Sequence, residues 1–441
     1  MSVKVTHPLG MAADEKAGTR FDEVPLRHLF SVVNGATPDS QNEDFWGGAI
    51  PWVTPEDLSN RVSPKISETK RTITQAGYDA CGTTLVPSGS VVISTRAPIG
   101  NIAIAARSLC TNQGCRSLVP LANLSQKFFY YQLSVLNHEL NRLGRGTTFL
   151  ELSSGDLAAF KVHVPPLPEQ TRIANFLDEQ TARIDALIAE KERLRDACKD
   201  SEEVTAFDLV VHGNRVAGHR TNYREPWLKA VPAHWGLTKL RNVAVIGNGS
   251  TPRRDNGDYW QNGEIPWLNS GSVNSSRICL ASDFVSEQAR KECHLPMVRA
   301  GSTLVALTGQ GKTRGSAALT EIEATINQHL AYVSLFDNQI SDEYLWVVLT
   351  GFYSVLRYIS EGEGSTKGAL TCERLNQLRI PVPPVHEQTS IRDVFVARIT
   401  AMGMLRKNIE ESIVLLHEYR SSLISAAVTG QLNPDRFEGC V

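Results

Sequence analysis

The chain of 441 residues contains an internal duplication. The stretch VPPLPEQTRI at 164–173 returns as VPPVHEQTSI at 382–391, with seven of ten positions identical and an offset of 218. Upstream, PLRHLFSVVNGATP (25–38) corresponds to KLRNVAVIGNGSTP (239–252) at an offset of 214. Matches that recur in the same order indicate two copies of one structural unit of roughly 200 residues.

Further matches lie between these markers and keep their order in both copies. They pair Phe45-Trp46 with Tyr259-Trp260, AIPWV (49–53) with EIPWL (264–268), PSGSVVIST (87–95) with RAGSTLVALT (299–308), and Asn112-Gln113 with Asn327-Gln328. The repeated tryptophans are predicted to lie in the core, and the Asn-Gln pairs are predicted to bond the backbone where a strand starts.

The first part of each copy, about 21–163 or 235–381, mixes β-rich runs with Gly, Pro and Asn. Within it, GSVVIST and STLVALT predict buried strands, because β-branched residues stand between turn formers. Residues 124–140 and 341–359 predict amphipathic helices whose aromatic side chains pack into the core.

The second part of each copy is predicted to be a long helix that begins after the prolines, with Glu169 or Glu387 in its first turn. Apolar residues at steps of three, four and seven indicate a coiled-coil seam, formed by Ile173, Leu177, Ile184, Leu187, Ile391, Phe395, Met402, Leu405, Ile409 and Leu416. We expect the two helices to pack as an antiparallel coiled coil; a homodimeric coiled coil is the alternative.

The predicted fold class is therefore α/β (α+β), with two tandem globular domains, each followed by a long helix. The boundaries are an N-terminal tail 1–20, a first domain 21–166, a first helix 167–200, a linker 201–234, a second domain 235–384, a second helix 385–432 and a C-terminal tail 433–441.

Composition narrows the class of protein. Hydrophobic residues make up 41% and charged residues 21% of the chain, which is typical of a soluble globular protein. No run of about 18 apolar residues predicts a membrane span. The start MSVKVTHPLG lacks the apolar core of a secretory signal, so a cytoplasmic protein is expected. The eight cysteines form no C-x-x-C pair and the histidines no H-x-x-x-H pair, so no metal site is expected.

One short stretch suggests an enzyme. Ala306, followed after four residues by Gly311-Lys312-Thr313, satisfies a relaxed P-loop pattern. The corresponding stretch VVISTRAPIGNIAIA (91–105) has no Gly-Lys-Thr, and three residues have been gained around the loop. A P-loop also needs a helix N-terminus after the lysine, whereas RGSAALTEIEA (314–324) shows no helical apolar period. The match is predicted to be accidental.

The layout resembles the specificity subunit of type I restriction–modification systems. The resemblance rests on the repeated Pro-Pro-x-x-Glu-Gln junction, on VPAHWGLTKLRNVA (231–244) before the second domain, and on the closing segment YRSSLISAAVTGQL (419–432). It implies a non-enzymatic DNA reader with two target recognition domains, each contacting one half of an asymmetric site. The end of the first helix, LRDACKDSEEVTAFDLVVHGNRV (194–216), matches the family's closing segment poorly.

The resemblance also implies partners and cofactors. The helices would fix the gap between the half-sites and dock two modification subunits, which bind S-adenosylmethionine and methylate adenine. Restriction subunits would add ATP- and Mg-dependent translocation and cleavage. This chain itself would bind double-stranded DNA and no cofactor. The alternatives are a P-loop NTPase or nuclease using 306–313, and a coiled-coil adaptor that binds only protein.

Basic and polar residues in Gly- or Pro-containing loops are the candidate DNA contacts, since Lys and Arg bind phosphates while Arg, Asn, Ser and Thr also read base edges. They are Arg96, Asn101, Arg142, Arg145, Thr147 and Thr148 in the first domain, and Arg253, Arg254, Lys312, Arg314, Ser365, Thr366 and Lys367 in the second. No catalytic residues are predicted.

Overall fold

A computed structural model describes residues 21–437, apart from 60, 62, 146–149, 215–219, 222–224, 226, 229–230, 310 and 362–368. The chain divides into two compact units. Of the described residues, unit 1 combines those up to Lys191 with those from Glu411 onward, and unit 2 contains those in Glu192–Glu410. Each unit therefore contains one globular domain and a segment of both long helices.

The globular domain of unit 1 is built from short elements. Its strands are β1 Glu23–Pro25, β2 Phe30–Asn34, β3 Trp46–Val53, β4 Lys65–Ile66, β5 Thr72–Ile73, β6 Val91–Ser94, β7 Ile102–Ala105, β8 Cys110–Thr111, β9 Cys115–Pro120 and β10 Lys161–His163. Its helices are α1 Pro55–Leu58, α2 Gln75–Asp79, α3 Gln126–Val135, α4 Asn137–Leu143 and α5 Ser154–Ala159, with 3₁₀ turns at Leu26–His28 and Glu43–Phe45.

Three sheets organise this domain. A five-stranded sheet has the order β2-β9-β6-β7-β4, a three-stranded sheet the order β5-β3-β8, and β1 pairs with β10. All pairs are antiparallel except β3 with β8 and β4 with β7. The β1–β10 pair joins Glu23 to His163, so the two ends of the domain lie side by side.

The globular domain of unit 2 repeats these elements. After the first long helix, α6 Leu167–His212, its strands are β11 Arg220–Thr221, β12 Val231–Pro232, β13 Gly236–Lys239, β14 Ala244–Asn248, β15 Ile265–Leu268, β16 Arg277–Ile278, β17 Asp283–Val285, β18 Thr303–Ala306, β19 Ala317–Thr320, β20 Thr325–Ile326, β21 Leu330–Leu335 and β22 Arg379–Val382. Its helices are α7 Gly257–Trp260, α8 Glu287–Glu292, α9 Asp342–Gly351, α10 Tyr353–Ser360 and α11 Cys372–Gln377, followed by the second long helix, α12 Val385–Val428. 3₁₀ turns lie at Leu240–Asn242 and Ser272–Asn274, and another follows α12 at Pro434–Arg436.

The sheets of unit 2 have the same topology. The five-stranded order is β14-β21-β18-β19-β16, the three-stranded order is β17-β15-β20, and β13 pairs with β22. The additional pair β11–β12 has no counterpart in the described part of unit 1. The duplication read from the sequence is thus a duplication of fold.

The elements predicted to form the core are confirmed. All four residues of β6 and all four of β18 are buried, as the β-branched runs indicated. Each predicted amphipathic helix is present but breaks into two, at Leu136 and at Phe352. Most of their aromatic side chains are core residues, with Phe128, Phe129, Tyr344 and Trp346 fully buried, whereas Tyr358 on α10 is 69% exposed.

The two long helices contact each other within each unit. In unit 1, Arg420 Nε donates to Asp185 Oδ1 at 2.8 Å, and Arg172 pairs with Asp435 beyond the helix end. As the first helix advances from 172 to 185, its partners move back from 435 to 420, so the two segments run antiparallel.

Unit 2 shows the same direction of packing. Ser201 Oγ contacts Met402 Sδ at 2.9 Å, and Asn214 Nδ2 donates to Ser390 Oγ at 2.5 Å. The knobs-into-holes packing of a coiled coil stays a prediction. Most of the predicted seam is nevertheless covered: Ile173, Leu177, Ile184, Ile391, Phe395 and Ile409 are buried, and Leu187, Met402 and Leu416 are partly buried.

Leu405 departs from this seam, with 45% of its surface exposed. Leu405 follows the heptad spacing. This spacing places a residue on one face of the helix, but it does not show whether another segment packs against that face at this point. Met404 beside it is also exposed, so this stretch of α12 presents apolar side chains to solvent.

The predicted end of the first helix was wrong. The prediction ended it at 200 and began a linker at 201, whereas α6 continues to His212. Burial explains the extension, because Ala206, Leu209 and Val210 pack into the core of unit 2. The charged run KDSEE (199–203) resembles a linker, but it lies within the helix.

Both helices end in the same way. Gly213 (φ 70°) follows α6 and Gly430 (φ 76°) lies just beyond α12, in the left-handed conformation that favours glycine after a helix. The sequences VVHG (210–213) and AVTG (427–430) carry this signal at matching places. The second helix ends at Val428, four residues before its predicted end.

Candidate nucleic-acid interface

Three loop segments meet at the end of the central strand in unit 1. The loop after β6 begins at Thr95, whose N–H donates to Gly114 O at 2.8 Å, next to the Asn112-Gln113 turn. Thr95 O in turn accepts the N–H of Leu152 at 2.9 Å. A bridge between Arg96 and Glu151 continues this contact. The loop after β6 and the segment at Glu151 and Leu152 are therefore neighbours.

Unit 2 brings together the corresponding segments. Leu307 follows β18, and its N–H donates to His329 O at 2.9 Å, beside the Asn327-Gln328 turn. Leu307 O accepts the N–H of Leu370 at 2.9 Å. Because Leu307 corresponds to Thr95 and Leu370 to Leu152, the two domains assemble the same three-segment cluster on the same backbone frame.

The Asn-Gln turns explain part of this frame. Asn112 Oδ1 accepts the N–H of Gly114 at 2.9 Å, and Asn327 Oδ1 accepts the N–H of His329 at 3.0 Å. These bonds confirm the predicted structural role of the asparagines. The glutamines do something else: Gln113 accepts the hydroxyl of Thr37, and Gln328 accepts that of Thr251. The turn is thereby tied to the Gly-x-Thr-Pro loop of its own domain.

The cluster in unit 1 is rich in charge. Arg96 Nε lies 3.0 Å from Glu151 Oε2, and Arg116 Nη2 lies 3.4 Å from Glu151 Oε1. Arg145 pairs with Asp156 at 3.3 Å. Arg96 and Arg145 are exposed, so their ion pairs are weak and can be exchanged for a phosphate or a base edge.

Arg116 was missed by sequence reasoning. Its side chain is only 11% exposed, and its Nη1 donates to Gln113 O at 2.7 Å while its Nε donates to Ser154 Oγ at 2.9 Å. It lies in strand β9 rather than in a glycine-rich loop, so a pattern of basic residues in loops does not include it. Its position makes it the internal support of Glu151 and therefore of Arg96.

Unit 2 carries different side chains at these positions. Thr308 replaces Arg96, and His329 replaces Gly114. Thr308 Oγ1 and His329 Nδ1 are 2.8 Å apart, and Gln328 Nε2 is 3.3 Å from His329 Nε2. Neither Thr308 nor His329 was a predicted contact, although both could be located by aligning the two copies. One frame thus presents two different sets of hydrogen-bonding groups.

The loop that mimics a P-loop is a surface turn. Residues 307–316 connect β18 to β19 and are three residues more numerous than 95–101, as the offsets predicted. Tyr353 Oη donates to Lys312 O at 2.8 Å, and Arg314 pairs with Glu361 at 3.0 Å. After Lys312 the chain turns into strand β19 rather than a helix, so the phosphate-binding helix N-terminus of a P-loop is missing from this described stretch.

Each domain also holds a tryptophan pair beside the Gly-x-Thr-Pro loop. In unit 1, Trp46 Nε1 donates to Asp39 O at 3.1 Å and Trp52 Nε1 to Ala36 O at 2.9 Å. The rings meet edge to face with centroids 5.0 Å apart. The guanidinium carbon of Arg71 lies 3.5 Å from the Trp46 ring centroid.

The pair in unit 2 has the same geometry. Trp260 Nε1 donates to Arg253 O at 3.0 Å, Trp267 Nε1 donates to Ser250 O at 3.2 Å, and the ring centroids are 5.2 Å apart. Arg254 covers Trp260 at 3.8 Å. The prediction of core tryptophans is confirmed for Trp52 and Trp267, which are buried, while Trp46 and Trp260 are half-buried.

The remaining predicted contacts lie in loops and on α4. Asn101 is partly buried and donates through Nδ2 to Ser59 Oγ at 3.1 Å, an internal bond. Arg142 is exposed on α4, and Arg253 is 80% exposed beside Asp255 at 2.7 Å. The other five lie outside the described residues, namely Thr147, Thr148, Ser365, Thr366 and Lys367.

Within the described part of the chain, no group of three His, Cys, Asp or Glu is arranged to hold a metal ion. The seven described cysteines form no disulfide. Burial raises the pKa of the Cys110 thiol to about 11 and that of Cys115 further, so these two thiols are unreactive near neutral pH. None of the described helices is long and apolar enough to cross a membrane.

The family model of the type I restriction modification DNA specificity domain matches residues 19–194 and 232–413, which is more than half of the chain. The chain is 24% identical over 415 residues to the type I restriction enzyme MjaIX specificity subunit of Methanocaldococcus jannaschii, covering 93% of each protein. It is 21% identical to the EcoBI specificity subunit of Escherichia coli, covering 95% of this chain and 84% of that one.

Two solved structures share the fold. A chain from a study of complex assembly and conformational transition of the type I R-M system superposes with a TM-score of 0.68 at 18% identity, covering 95% of this chain and all of that one. The HsdS subunit from Thermoanaerobacter tengcongensis gives a TM-score of 0.53 at 18% identity, covering 95% and 99%.

Proposed function

The chain belongs to the type I restriction modification DNA specificity family, with two tandem recognition domains, and we propose that each domain reads one half of a divided DNA site. One observation carries this proposal. The two domains assemble the same three-segment cluster, but Arg96 and Gly114 in the first are replaced by Thr308 and His329 in the second. Arginine pairs best with guanine, whereas a threonine–histidine pair offers other donors and acceptors. The two half-sites should therefore differ in sequence.

The long helices are proposed to set the spacer between the half-sites. At 1.5 Å per residue, helices of 46 and 44 residues are about 65–70 Å long. Each unit contains antiparallel segments of both helices, and in each unit the two segments contact each other. A helix pair held in this way keeps a fixed length, which is the property a spacer requires.

The proposed partners are double-stranded DNA, two modification subunits docked on the helices, and restriction subunits. Exposed apolar residues on α12, including Met404, Leu405, Val414 and Leu415, support docking by a protein partner. S-adenosylmethionine, ATP and Mg are assigned to the partner subunits, and no cofactor to this chain. Because these proposed partners act on DNA, we propose a cytoplasmic location for the chain.

Of the alternatives, the NTPase reading lacks support. The turn at Lys312 leads into a strand, and a P-loop without its helix has no dipole to hold the phosphates. A purely protein-binding adaptor would not need two loop clusters that differ in hydrogen-bonding chemistry on an otherwise repeated frame.

Methylome sequencing tests the proposal. Cells that express this chain with its modification subunits should show methylated adenines in one bipartite motif, with two unlike halves at a constant spacing. Cells with the modification subunits alone serve as the control and should lack that motif. A contiguous motif, or an identical methylome in both strains, would contradict the proposal.

A further inference from the structure

A guanidinium group lies over the tryptophan pair in both domains. Arg71 is 3.5 Å from the Trp46 ring centroid and 5.7 Å from that of Trp52. Arg254 is 3.8 Å from the Trp260 centroid and 5.1 Å from that of Trp267. The two arginines therefore have the same geometry relative to corresponding rings.

These arginines come from different positions of the duplicated unit. Trp46 and Trp260 each bond the carbonyl seven residues earlier, so Asp39 corresponds to Arg253, and Ser40 corresponds to Arg254. In the first domain, Ser40 cannot supply the cation. The Gly-x-Thr-Pro loop thus provides the guanidinium only in the second domain.

The strand register identifies the counterpart of Arg71. Trp52 N donates to Arg71 O, and Trp267 pairs with Asp283, so Arg71 corresponds to Asp283. Asp283 lies 3.5 Å from Arg254 and faces the guanidinium instead of supplying it. The two domains thus supply the guanidinium from different positions of the repeat, but it lies over the same rings in both.

The fold by itself does not require a guanidinium over the tryptophan pair. If the arginine only completed the packing, we would expect it at the same position of the repeat in both domains. Arg71 is exposed, and within the described residues its guanidinium makes no ion pair or side-chain hydrogen bond. Stacking on a ring occupies the face of the guanidinium and leaves its N–H edge free to donate.

The ligand must be common to both half-sites. The neighbouring loops differ, with Arg96 and Gly114 facing Thr308 and His329, so they suit different bases. A group kept the same in both domains suits the part of DNA that is the same in both half-sites, which is the sugar–phosphate backbone. The Thr37–Gln113 and Thr251–Gln328 bonds connect the tryptophan loop to the three-segment cluster in each domain.

We propose that Arg71 and Arg254 are equivalent phosphate contacts, one for each half-site, held in place by the tryptophan pair. This inference rests on the proposed function. It adds Arg71, which lies outside the candidate loops of the sequence, and it assigns Arg254 to the backbone rather than to a base. It also predicts that, in each domain, an arginine at the position of Ser40 and Arg254 can replace one at the position of Arg71 and Asp283.

The test uses the full chain in complex with its modification subunits. Binding is measured by fluorescence anisotropy over a salt series, on a duplex carrying the methylome-defined site and on an unrelated duplex of equal length. Arg71→Gln and Arg254→Gln should each weaken binding to both duplexes by about tenfold, because a charge-assisted hydrogen bond is lost. Each should lower the slope of log K against log salt by about 0.9.

Relocating the cation separates a DNA contact from a packing role. Arg71→Asp should weaken binding, and adding Ser40→Arg, which reproduces the arrangement of Arg254 and Asp283, should restore affinity and salt slope to within about threefold of the wild type. Arg27→Gln removes an exposed arginine of the same domain and should change neither quantity. Thermal unfolding of every complex shows whether each variant is folded.

Three results would overturn the inference. One is an unchanged salt slope in both glutamine variants when the wild-type complex binds its site specifically. Another is weakening on the specific duplex alone, which indicates a base contact. The third is a double variant that regains the wild-type unfolding temperature but not DNA binding. A wild-type complex that shows no preference for its site would instead refute the proposed function itself.

Discussion

The side-chain oxygen of Gln388 accepts the backbone N–H of Ser341 at 2.9 Å. Gln388 is fully buried, and its amide nitrogen donates to Gln339 O and Pro383 O at 2.7 and 2.9 Å. Ser341 is the N-cap of α9, so this glutamine joins the start of the long helix α12 to the start of a core helix. Gln170 does the same in unit 1, accepting the N–H of Ser125 at 3.0 Å.

Gln388→Ala should therefore destabilise unit 2 by about 2–4 kcal/mol, because it leaves buried backbone groups without partners. Gln170→Ala should have a similar effect in unit 1. Gln180→Ala is the matched control on α6, since Gln180 is partly exposed and makes no side-chain bond among the described residues. Denaturant unfolding of the three variants measures the difference, and equal losses for Gln388→Ala and Gln180→Ala would contradict the role given to this junction.

Gly213→Ala should cost about 1–2 kcal/mol of unfolding free energy, since alanine is strained at φ 70°. Its Cβ would also lie 3.1 Å from Trp235 Cζ2. Gly403→Ala is the opposite case: it lies inside α12, its Cβ meets open space, and it should stabilise by up to about 1 kcal/mol. The same unfolding assay compares both, and a stabilising Gly213→Ala would argue against a helix end at this glycine.

Lys312→Ala should weaken DNA binding and flatten its salt dependence, because Lys312 is exposed in a turn and can reach a phosphate. Calorimetry with ATP provides the second measurement, and no micromolar binding is expected from either the wild type or the variant. ATP binding that disappears in Lys312→Ala would revive the NTPase alternative, and an unaltered salt slope would remove Lys312 from the DNA interface.

Lengthening both long helices should change the spacer alone. Four residues inserted after Lys191 and four before Glu411 add about 6 Å, a little more than one helical turn, and so keep the helix faces nearly in register. Methylome sequencing should show the same two half-sites separated by about one or two more base pairs, each of which spans 3.4 Å. An unchanged spacer would contradict the proposal that the helices set it.

Much of the fold could be predicted from the sequence because the duplication supplied an internal comparison. Matching runs such as 90–95 and 302–307 indicated the buried strands, and the proline junctions located the helix starts. The end of α6 was missed because the charged run 199–203 resembles a linker, while the burial that continues the helix depends on tertiary packing.

The site was predictable only in part. Arg96 and Arg145 both bridge to Glu151 in unit 1, while Lys312 and Arg314 lie in the loop after β18 in unit 2. Their contact with DNA stays a prediction. Arg71 could not be predicted by aligning the two copies, because the residue that corresponds to it in sequence is Asp283. The guanidinium in the corresponding place in space belongs to Arg254, which comes from a different position of the repeat. Similarly, His329 was overlooked because glycine occupies its place in the first copy.

The central claim is that the two domains read separate half-sites. Exchanging residues 21–163 for the corresponding domain of a relative tests it most directly, because β1 pairs with β10 and the two cut points lie side by side. Methylome sequencing of cells carrying the hybrid should show one half-site replaced, with the other half-site and the spacer unchanged. A hybrid that alters both half-sites, or neither, while still directing methylation would contradict the claim.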